Sequence, residues 1–188
     1  MRAIFLDRDG VINRAFIRDG RSYSPASLDD FAILPGVPEA LTALHHANFR
    51  LIIVTNQPDV GNGLQPLEVV EAMHRQLRRA LPLDQIKVCY HTDADGCACR
   101  KPKPGLLLDA AREWQLDLSQ CVMIGDRWRD IEAGKAAGCK TILVRGEDDA
   151  EPPVQAPDAI VASLLEASAL ILSGRWLHST SQPIEVAT

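Results

Sequence analysis

The stretch FLDRDGVIN at residues 5–13 places two carboxylates, Asp7 and Asp9, two positions apart. The apolar run at residues 3–6 precedes them and predicts a buried parallel strand. Open α/β sheets form their binding crevice at the carboxyl ends of the strands, so both aspartates are expected there. A carboxylate can attack phosphorus when a cation screens its charge, and a second carboxyl can exchange a proton with the leaving group and with water. The pair is a candidate phosphoryl-transfer site, and the alternative is a polar turn.

Two later apolar runs also lead into polar residues that could complete such a site. Residues 51–54 are followed by Thr55 and Asn56, and a hydroxyl with exposed backbone N–H groups at a strand end can hold phosphate oxygens. Residues 121–124 are followed by Asp126, so a third strand is expected to deliver a carboxylate. An ordinary strand-end turn remains the alternative for each.

The loop at residues 89–99 contains three cysteines and one histidine within eleven residues. These side chains are those of Cys89, His91, Cys97 and Cys99. They are the soft ligands of a tetrahedral zinc site, and with all four positions filled by protein the ion is expected to be structural. No basic helix follows that would read DNA, so a zinc finger is not indicated. Chance proximity of the four residues is the alternative.

A cluster of cations follows this loop directly. Arg100, Lys101 and Lys103 alternate with prolines, which limit the freedom of the backbone. Beside carboxylates that bind phosphate, such a cluster is more than a solvated charge run, so Arg100 and Lys101 are candidate phosphate-binding residues.

The elements that must position these residues alternate between strands and helices. Strands are predicted at residues 3–6, 51–54, 86–90, 121–124, 140–144 and 159–162, and helices at 37–48, 66–81, 104–114 and 131–137. The helix at 66–81 is expected to bury a stripe formed by Leu67, Val70, Met73 and Leu77. Residues 14–30 are interpreted as a flap beside the site. This βαβ alternation predicts a doubly wound, Rossmann-like parallel sheet.

Composition narrows the class of protein. The 188 residues suit one domain at 1–173, followed by a tail at 174–188 that is expected to fray, although Trp176 and Leu177 could dock. The net charge of −5 argues against broad nucleic-acid binding, and no apolar run approaches the ~20 residues that span a bilayer. Five cysteines without a secretory signal do not suggest a disulfide framework. We expect a cytoplasmic, monomeric enzyme with no nucleic-acid or membrane partner.

Together these motifs resemble the haloacid dehalogenase superfamily of aspartate-nucleophile phosphatases, over residues 3–144. The resemblance implies that Asp7 attacks phosphorus and that Asp9 is the general acid and base. It also implies that Thr55 and Lys101 bind the transferring phosphoryl group.

The same resemblance implies a catalytic Mg²⁺ site. Asp126, Asp7 and the backbone carbonyl of Asp9 would be its ligands, and Asp130 would support it. Zn²⁺ would occupy the cysteine-rich loop as a structural ion.

Within the superfamily, the flap and the zinc loop are similar to the branch of heptose bisphosphate and histidinol-phosphate phosphatases, which has no large cap domain. The resemblance implies removal of the 7-phosphate of a heptose 1,7-bisphosphate. Histidinol phosphate or another small sugar or alcohol phosphate is the alternative substrate. Gly61-Asn62-Gly63 replaces the Ala-Arg-Gly that heptose enzymes commonly carry, so Arg100, with Arg18 or Arg21, would have to hold the distal phosphate. A phosphoacceptor module without catalytic activity is the remote alternative.

Overall fold

The polar residues singled out above follow strands of one parallel sheet. In a computed structural model of the chain, residues 1–18, 21–145, 154–174 and 184–185 are described. The described strands are β1 (Ala3–Leu6), β2 (Phe16–Arg18), β3 (Arg21–Tyr23), β4 (Arg50–Asn56), β5 (Gln85–Cys89), β6 (Val122–Gly125), β7 (Lys140–Val144), β8 (Ala159–Val161) and β9 (Ile184–Glu185). The described α-helices are α1 (Val37–His46), α2 (Pro58–Gly61), α3 (Leu67–Ala80), α4 (Gly105–Trp114), α5 (Trp128–Ala137) and α6 (Leu164–Leu172).

The order of strands across the described part of the sheet is β5-β4-β1-β6-β7-β8-β9, with every pair parallel. The chain builds outward from β1 to one edge through β4 and β5, and then returns to β6 on the other side. This is the predicted doubly wound arrangement, and β1 and β6 flank the point where the winding reverses. Ligand sites of open α/β sheets lie in the crevice at this point.

Alternating side chains of β1 enter two separate hydrophobic clusters, which is why its four residues are all apolar. Ile4 and Leu6 pack in the cluster that contains buried residues of α1, α3 and α6. Ala3 and Phe5 pack in the cluster that contains buried residues of α4 and α5. Helices therefore cover both faces and leave the carboxyl ends of the strands for the site.

The predicted flap contains a short antiparallel hairpin. Strands β2 and β3 pair with Phe16 opposite Tyr23, and Ser24 follows directly. Residues 19 and 20 lie outside the described residues. The hairpin is the only element between β1 and α1 in the described part of the chain.

Several elements differ from prediction. The predicted strands match β1 and β4 to β8 to within two residues at each end, whereas α2, α6 and β9 were not predicted. On α3, Leu67 is 43% exposed and not part of the buried face, because it is the first residue of the helix. His74 is buried there instead. A polar residue within an apolar stripe is unexpected, and its partners are described below.

The boundary at residue 173 stays a prediction. Ile184–Glu185 add a short strand to β8, but most of the predicted tail, including Trp176 and Leu177, lies outside the described residues. None of the described helices combines the length and hydrophobicity needed to cross a bilayer.

Candidate active site

Lys101 joins two carboxylates at the carboxyl end of the sheet. Its Nζ donates to Asp7 Oδ1 at 2.7 Å and to Asp130 Oδ1 at 2.5 Å, and all three side chains are buried. Burial alone would favour the neutral amine, but the attraction of Asp130 and Asp7 outweighs it and raises the pKa of Lys101. The lysine is therefore a fixed cation between Asp7, which directly follows β1, and Asp130, which lies in the first turn of α5.

The backbone of Lys101 is held by Asn56 at the end of β4. The Asn56 amide Nδ2 donates to the Lys101 carbonyl at 3.0 Å, and the Lys101 N–H donates to Asn56 Oδ1 at 3.1 Å. The Lys101–Pro102 peptide bond is cis. The structure thus brings Asn56 to the predicted site, with its side-chain amide holding the lysine in place.

Asp126 follows β6 and completes a group of three carboxylates. Asp7, Asp126 and Asp130 each offer an oxygen within 4.8 Å of the others, and Asp126 Oδ1 is buried with no hydrogen-bond partner among the described residues. Burial, followed by the charges of Asp7 and Asp130, raises the pKa of Asp126 well above its usual range. Burial likewise raises the pKa of Asp7 to about 6 against the opposing effect of Lys101. An orphaned buried oxygen among repelling carboxylates fits a hard divalent cation.

Gly10 makes room for Asp126. Its φ is +86°, and a Cβ built there would lie 2.1 Å from Asp126 Oδ2. A glycine is therefore required both by the left-handed backbone and by the close approach of the carboxylate.

Asp9 lies in a dense set of donors. Each of its two oxygens has three donors within 3.2 Å. These donors come from Arg8, Asn13, Ser24 and Gln57. Burial opposes ionisation, but Arg8, Asn13 and Gln57 outweigh it and lower the pKa of Asp9.

Gln57 also connects Asp9 with the predicted phosphate-binding hydroxyl. Its Nε2 donates to Asp9 Oδ2 at 2.8 Å and to Thr55 Oγ1 at 2.9 Å, so one buried amide group binds both side chains. Ser24, which follows the hairpin, places its hydroxyl 2.8 Å from Asp9 Oδ2 and 3.1 Å from Gln57 Oε1. Ser24 therefore connects the flap with Asp9 and Gln57.

The predicted zinc ligands come together as a compact group. Donor atoms of Cys89, His91, Cys97 and Cys99 all lie within 4.8 Å of one another. The three Sγ–Sγ distances are 3.2, 3.3 and 3.7 Å, and His91 Nδ1 lies 3.2 and 3.6 Å from two sulfurs. Bonds of about 2.3 Å to a tetrahedral zinc place sulfurs about 3.8 Å apart, so the group is tighter than a zinc-bound set by a few tenths of an ångström and has the donors for that ion.

Two cations after the loop brace it. Arg100 Nε donates to Asp93 Oδ1 at 2.7 Å, and Lys103 Nζ donates to the carbonyls of Gly96 and Cys97 at 2.8 and 2.9 Å. The guanidinium of Arg100, predicted to bind phosphate, is thus placed on the loop. The side chains of Arg18 and Arg21 lie outside the described part of the structure.

Four contributors to the site had no role assigned from the sequence. Arg8 and Asn13 belong to the stretch at residues 5–13, and Gln57 directly follows Thr55 and Asn56, so closeness in sequence to Asp9 and Thr55 is a signal for all three. Ser24 had none, because nothing in the flap distinguishes this hydroxyl from the others.

The doubly wound sheet, with carboxylates after β1 and β6 and a lysine bridging to Asp7, has the architecture of a phosphatase of the haloacid dehalogenase superfamily. The HAD-hydrolase-like family model matches residues 98–167. The D-glycero-beta-D-manno-heptose-1,7-bisphosphate 7-phosphatase of Bordetella bronchiseptica is 38% identical over 153 residues, which cover 77% of this chain and 81% of that protein. The enzyme of the same name from Photorhabdus laumondii is 38% identical over 178 residues, covering 87% and 92%.

A solved structure gives the same result. The crystal structure of D,D-heptose 1,7-bisphosphate phosphatase from B. bronchiseptica, complexed with magnesium and phosphate, superimposes with a TM-score of 0.77 at 32% identity and covers 93% of this chain and 99% of its own. The chain therefore belongs to the haloacid dehalogenase superfamily and, within it, to the family that these heptose bisphosphate phosphatases form. It is a phosphatase.

Proposed function

We propose that this phosphatase removes the 7-phosphate of D-glycero-β-D-manno-heptose 1,7-bisphosphate through a covalent phosphoryl group on Asp7. The observation that carries the reaction type is the Lys101 ammonium bonded to Asp7 and Asp130 beside the unpaired oxygen of Asp126. The names of relatives at 34–38% identity support the substrate. As the sequence predicts, the enzyme acts as a monomer, in the cytoplasm, on a small phosphorylated metabolite.

In the first step a carboxylate oxygen of Asp7 forms a bond to phosphorus while the bond from phosphorus to the sugar oxygen breaks. The proton that the sugar oxygen needs comes from the carboxyl of Asp9; Arg8, Asn13 and Gln57 lower the pKa of this group in the free enzyme, and the negative charge of the bound phosphate opposes that effect. In the second step water attacks phosphorus, its proton returns to Asp9, and the bond to Asp7 breaks to release inorganic phosphate. Splitting hydrolysis in this way replaces one difficult displacement by two easier ones.

Charge neutralisation is the main demand on the site. A phosphate dianion beside Asp7, Asp126 and Asp130 would be repelled strongly, and Lys101 offsets only part of that repulsion. The Thr55 hydroxyl and the Lys101 ammonium bind the phosphoryl oxygens. Asn56 holds the backbone of Lys101 in place by two hydrogen bonds. Asp130 contributes by orienting Lys101.

Asp7, Asp126 and the backbone carbonyl of Asp9 are the proposed ligands of Mg²⁺. Carboxylate and carbonyl oxygens suit this hard ion, and the partnerless oxygen of Asp126 supports the assignment. When bound, Mg²⁺ supplies Lewis-acid polarisation and positive charge at the phosphoryl group.

The cysteine-rich loop is proposed to hold one structural Zn²⁺. Its four protein donors would complete a tetrahedral shell, so no coordination position remains for a substrate. The ion would stabilise an irregular loop that leads directly into Lys101, and so would fix the cation that meets the phosphate.

A substrate panel tests the proposed function. Phosphate release is measured with Mg²⁺ from the α and β anomers of the heptose 1,7-bisphosphate, histidinol phosphate and p-nitrophenyl phosphate, and phosphorus NMR shows which phosphate leaves. We expect the highest kcat/KM with the β-anomer and loss of the 7-phosphate alone. A higher kcat/KM with histidinol phosphate would replace the proposed substrate. Chelation with EDTA should stop turnover and Mg²⁺ should restore it, whereas restoration by Zn²⁺ alone would contradict the metal assignment.

A further inference from the structure

Arg8 is a fully buried arginine whose guanidinium holds the Asp9 carboxylate. It has no solvent exposure, and its Nε and NH2 groups lie 2.9–3.2 Å from the two oxygens of Asp9. Burying a guanidinium is unfavourable unless each donor finds an acceptor. Asp9 satisfies only one edge of the group, so the remaining NH1 needs a partner elsewhere.

That partner is His74, the polar residue in the apolar stripe of α3. Arg8 NH1 lies 3.1 Å from His74 Nε2, and the imidazole is also fully buried. Because the guanidinium can only donate, Nε2 must be the accepting nitrogen, which places the imidazole proton on Nδ1. No other protein acceptor of NH1 is found among the described residues.

The groups around His74 favour this neutral form. Arg8 faces Nε2, the Glu71 carboxylate lies 3.6 Å from Nδ1, and Arg78 is close enough to act on the imidazole through its charge. Burial, followed by the charge of Arg8, lowers the pKa of His74 to about 4, against the opposing effect of Glu71. At neutral pH the ring therefore remains an acceptor for Arg8.

The contacts continue from His74 to the metal-binding loop. The Tyr90 hydroxyl donates to Glu71 Oε1 at 2.7 Å, and Tyr90 lies between two proposed zinc ligands, Cys89 and His91. Hydrogen bonds thus join Tyr90 to Glu71 and His74 to Arg8, whereas Glu71 and His74 Nδ1 are 3.6 Å apart and are near each other without a hydrogen bond.

We propose that His74 is a positioning residue for the reaction: its imidazole fixes Arg8, and the fixed guanidinium holds Asp9 where it exchanges a proton with the leaving oxygen. The inference rests on the proposed function, since it takes Asp9 as the general acid and base. Errors of about 1 Å in the position of a reacting group can lower rates by about 10²-fold, so anchoring Arg8 has a catalytic consequence beyond packing.

Packing alone does not explain a histidine at this position. Its buried neighbours on α3 are Val70, Met73 and Leu77, all apolar, and a leucine would continue their stripe. Such a leucine would leave Arg8 NH1 buried without an acceptor and free the guanidinium to reorient. The imidazole is therefore explained by the need of the buried Arg8 guanidinium for a hydrogen-bond acceptor.

The test compares leaving groups. Protonation by Asp9 matters for an alkyl phosphate and much less for p-nitrophenyl phosphate, whose leaving group departs as a stabilised anion. The variants are His74→Leu, His74→Asn, whose amide is too short to reach Arg8, and His74→Gln, whose amide oxygen can replace Nε2. Leu77→Ala is the matched control, because it disturbs the same buried helix face without touching Arg8 in the described contacts. The kcat/KM is measured because it reports the steps up to release of the leaving group.

With the heptose bisphosphate, and with glycerol phosphate as a second alkyl ester, His74→Leu and His74→Asn should lower kcat/KM by about 10- to 100-fold. With p-nitrophenyl phosphate the decrease should be under about threefold. His74→Gln should recover most of the alkyl activity, and Leu77→Ala should leave the alkyl-to-aryl ratio unchanged. An equal decrease for both classes of ester, or a glutamine variant no better than asparagine, would overturn the proposal. If the wild-type enzyme prefers another substrate, the proposed function fails while the ratio still tests His74.

Discussion

Lys101 Nζ donates a 2.7 Å hydrogen bond to Asp7 Oδ1 across a sequence separation of 94 residues. The contact forms because Asn56, at the end of β4, holds the Lys101 backbone while β1, the neighbouring strand, delivers Asp7. A single cation thereby neutralises and orients the proposed nucleophile.

Replacing this lysine should be costly for both stability and activity. Lys101→Met leaves Asp7 and Asp130 buried without their cation, and breaking a buried pair in this way costs about 3–5 kcal/mol. We expect the free energy of unfolding in urea to fall by about this amount, less whatever protonation of the acids recovers. The kcat/KM should fall by at least about 10²-fold, as for the loss of a charge-stabilising donor. Lys87→Met is the control, since Lys87 pairs with the half-exposed Glu113 and should change stability by about 0–1 kcal/mol. Equal effects of the two variants would contradict the assigned role.

Gly10→Ala should impair metal binding. The new Cβ would collide with Asp126 Oδ2, so the carboxylate must move away from Asp7. We expect a raised Mg²⁺ concentration for half-maximal activity and a lowered kcat. Gly138→Ala isolates backbone strain, because its φ of +83° is nearly the same and, apart from adjacent backbone, no described atom lies within 4 Å of a Cβ built there. Loss of Mg²⁺ affinity in both variants would show that strain, and not the collision, is responsible.

His74 should make the folded enzyme less stable in acid. Its pKa is about 4 when folded and ordinarily 6.5, so below pH 6.5 the unfolded chain binds a proton that the folded chain does not. The contribution of the neutral His74 side chain to the free energy of unfolding is fully present above pH 6.5 and is lost as the pH falls towards 4. The resulting loss of stability, relative to neutral pH, is about 2–3 kcal/mol at pH 4.5.

The measurement is the free energy of unfolding of wild type and His74→Gln at pH 7 and pH 4.5. Burial also raises the pKa of Asp7 and Asp126, and these two groups stabilise the folded protein as the pH falls. Their effect is the same in wild type and in the variant, so the difference in stability between the two proteins reports on His74. Wild type should lose more stability than the variant on acidification. Parallel pH dependences would show that the buried imidazole titrates normally.

Cys97→Ser should remove the structural zinc. One thiolate of the four-ligand group is lost, so we expect the zinc content of protein purified without chelator to fall from about one ion per chain towards zero. Activity should drop through loosening of Lys101, with the Mg²⁺ requirement unchanged. Cys121→Ser is the control, because this buried thiol lies outside the loop and its partners are backbone groups of Ala3 and Asp117. Full activity in metal-free wild-type protein would contradict the role given to the loop.

The sequence alone is sufficient to predict that the residues following the strands meet in one site. Asp7 and Asp126 each end an apolar run, and parallel strands bring their carboxyl ends to one edge, so the meeting of these residues was predictable. The four metal-binding side chains are close in sequence, so local spacing predicted that group too.

Contacts between distant elements were not predictable in the same way. His74 occupies an apolar position of α3, and only the tertiary structure shows that a buried arginine faces it. Ser24 contacts Asp9 from 15 residues further along the chain, directly after the hairpin, and no spacing in the sequence indicates this contact. Ser163 directly precedes helix α6 and its hydroxyl accepts from the N–H of Glu166, so the start of this helix does have a local sequence signal.

The central claim is that Asp7 carries the phosphoryl group during turnover. The most direct measurement uses the Asp9→Asn variant, which should form the phosphoenzyme slowly from p-nitrophenyl phosphate and hydrolyse it more slowly still. After incubation with this substrate and Mg²⁺, acid quenching and peptide mass spectrometry should find a mass increase of one phosphoryl group on the peptide that contains Asp7. The double variant Asp7→Asn, Asp9→Asn should show none. A phosphoryl group on any other residue, or an Asp7→Asn enzyme that retains substantial turnover, would contradict the account.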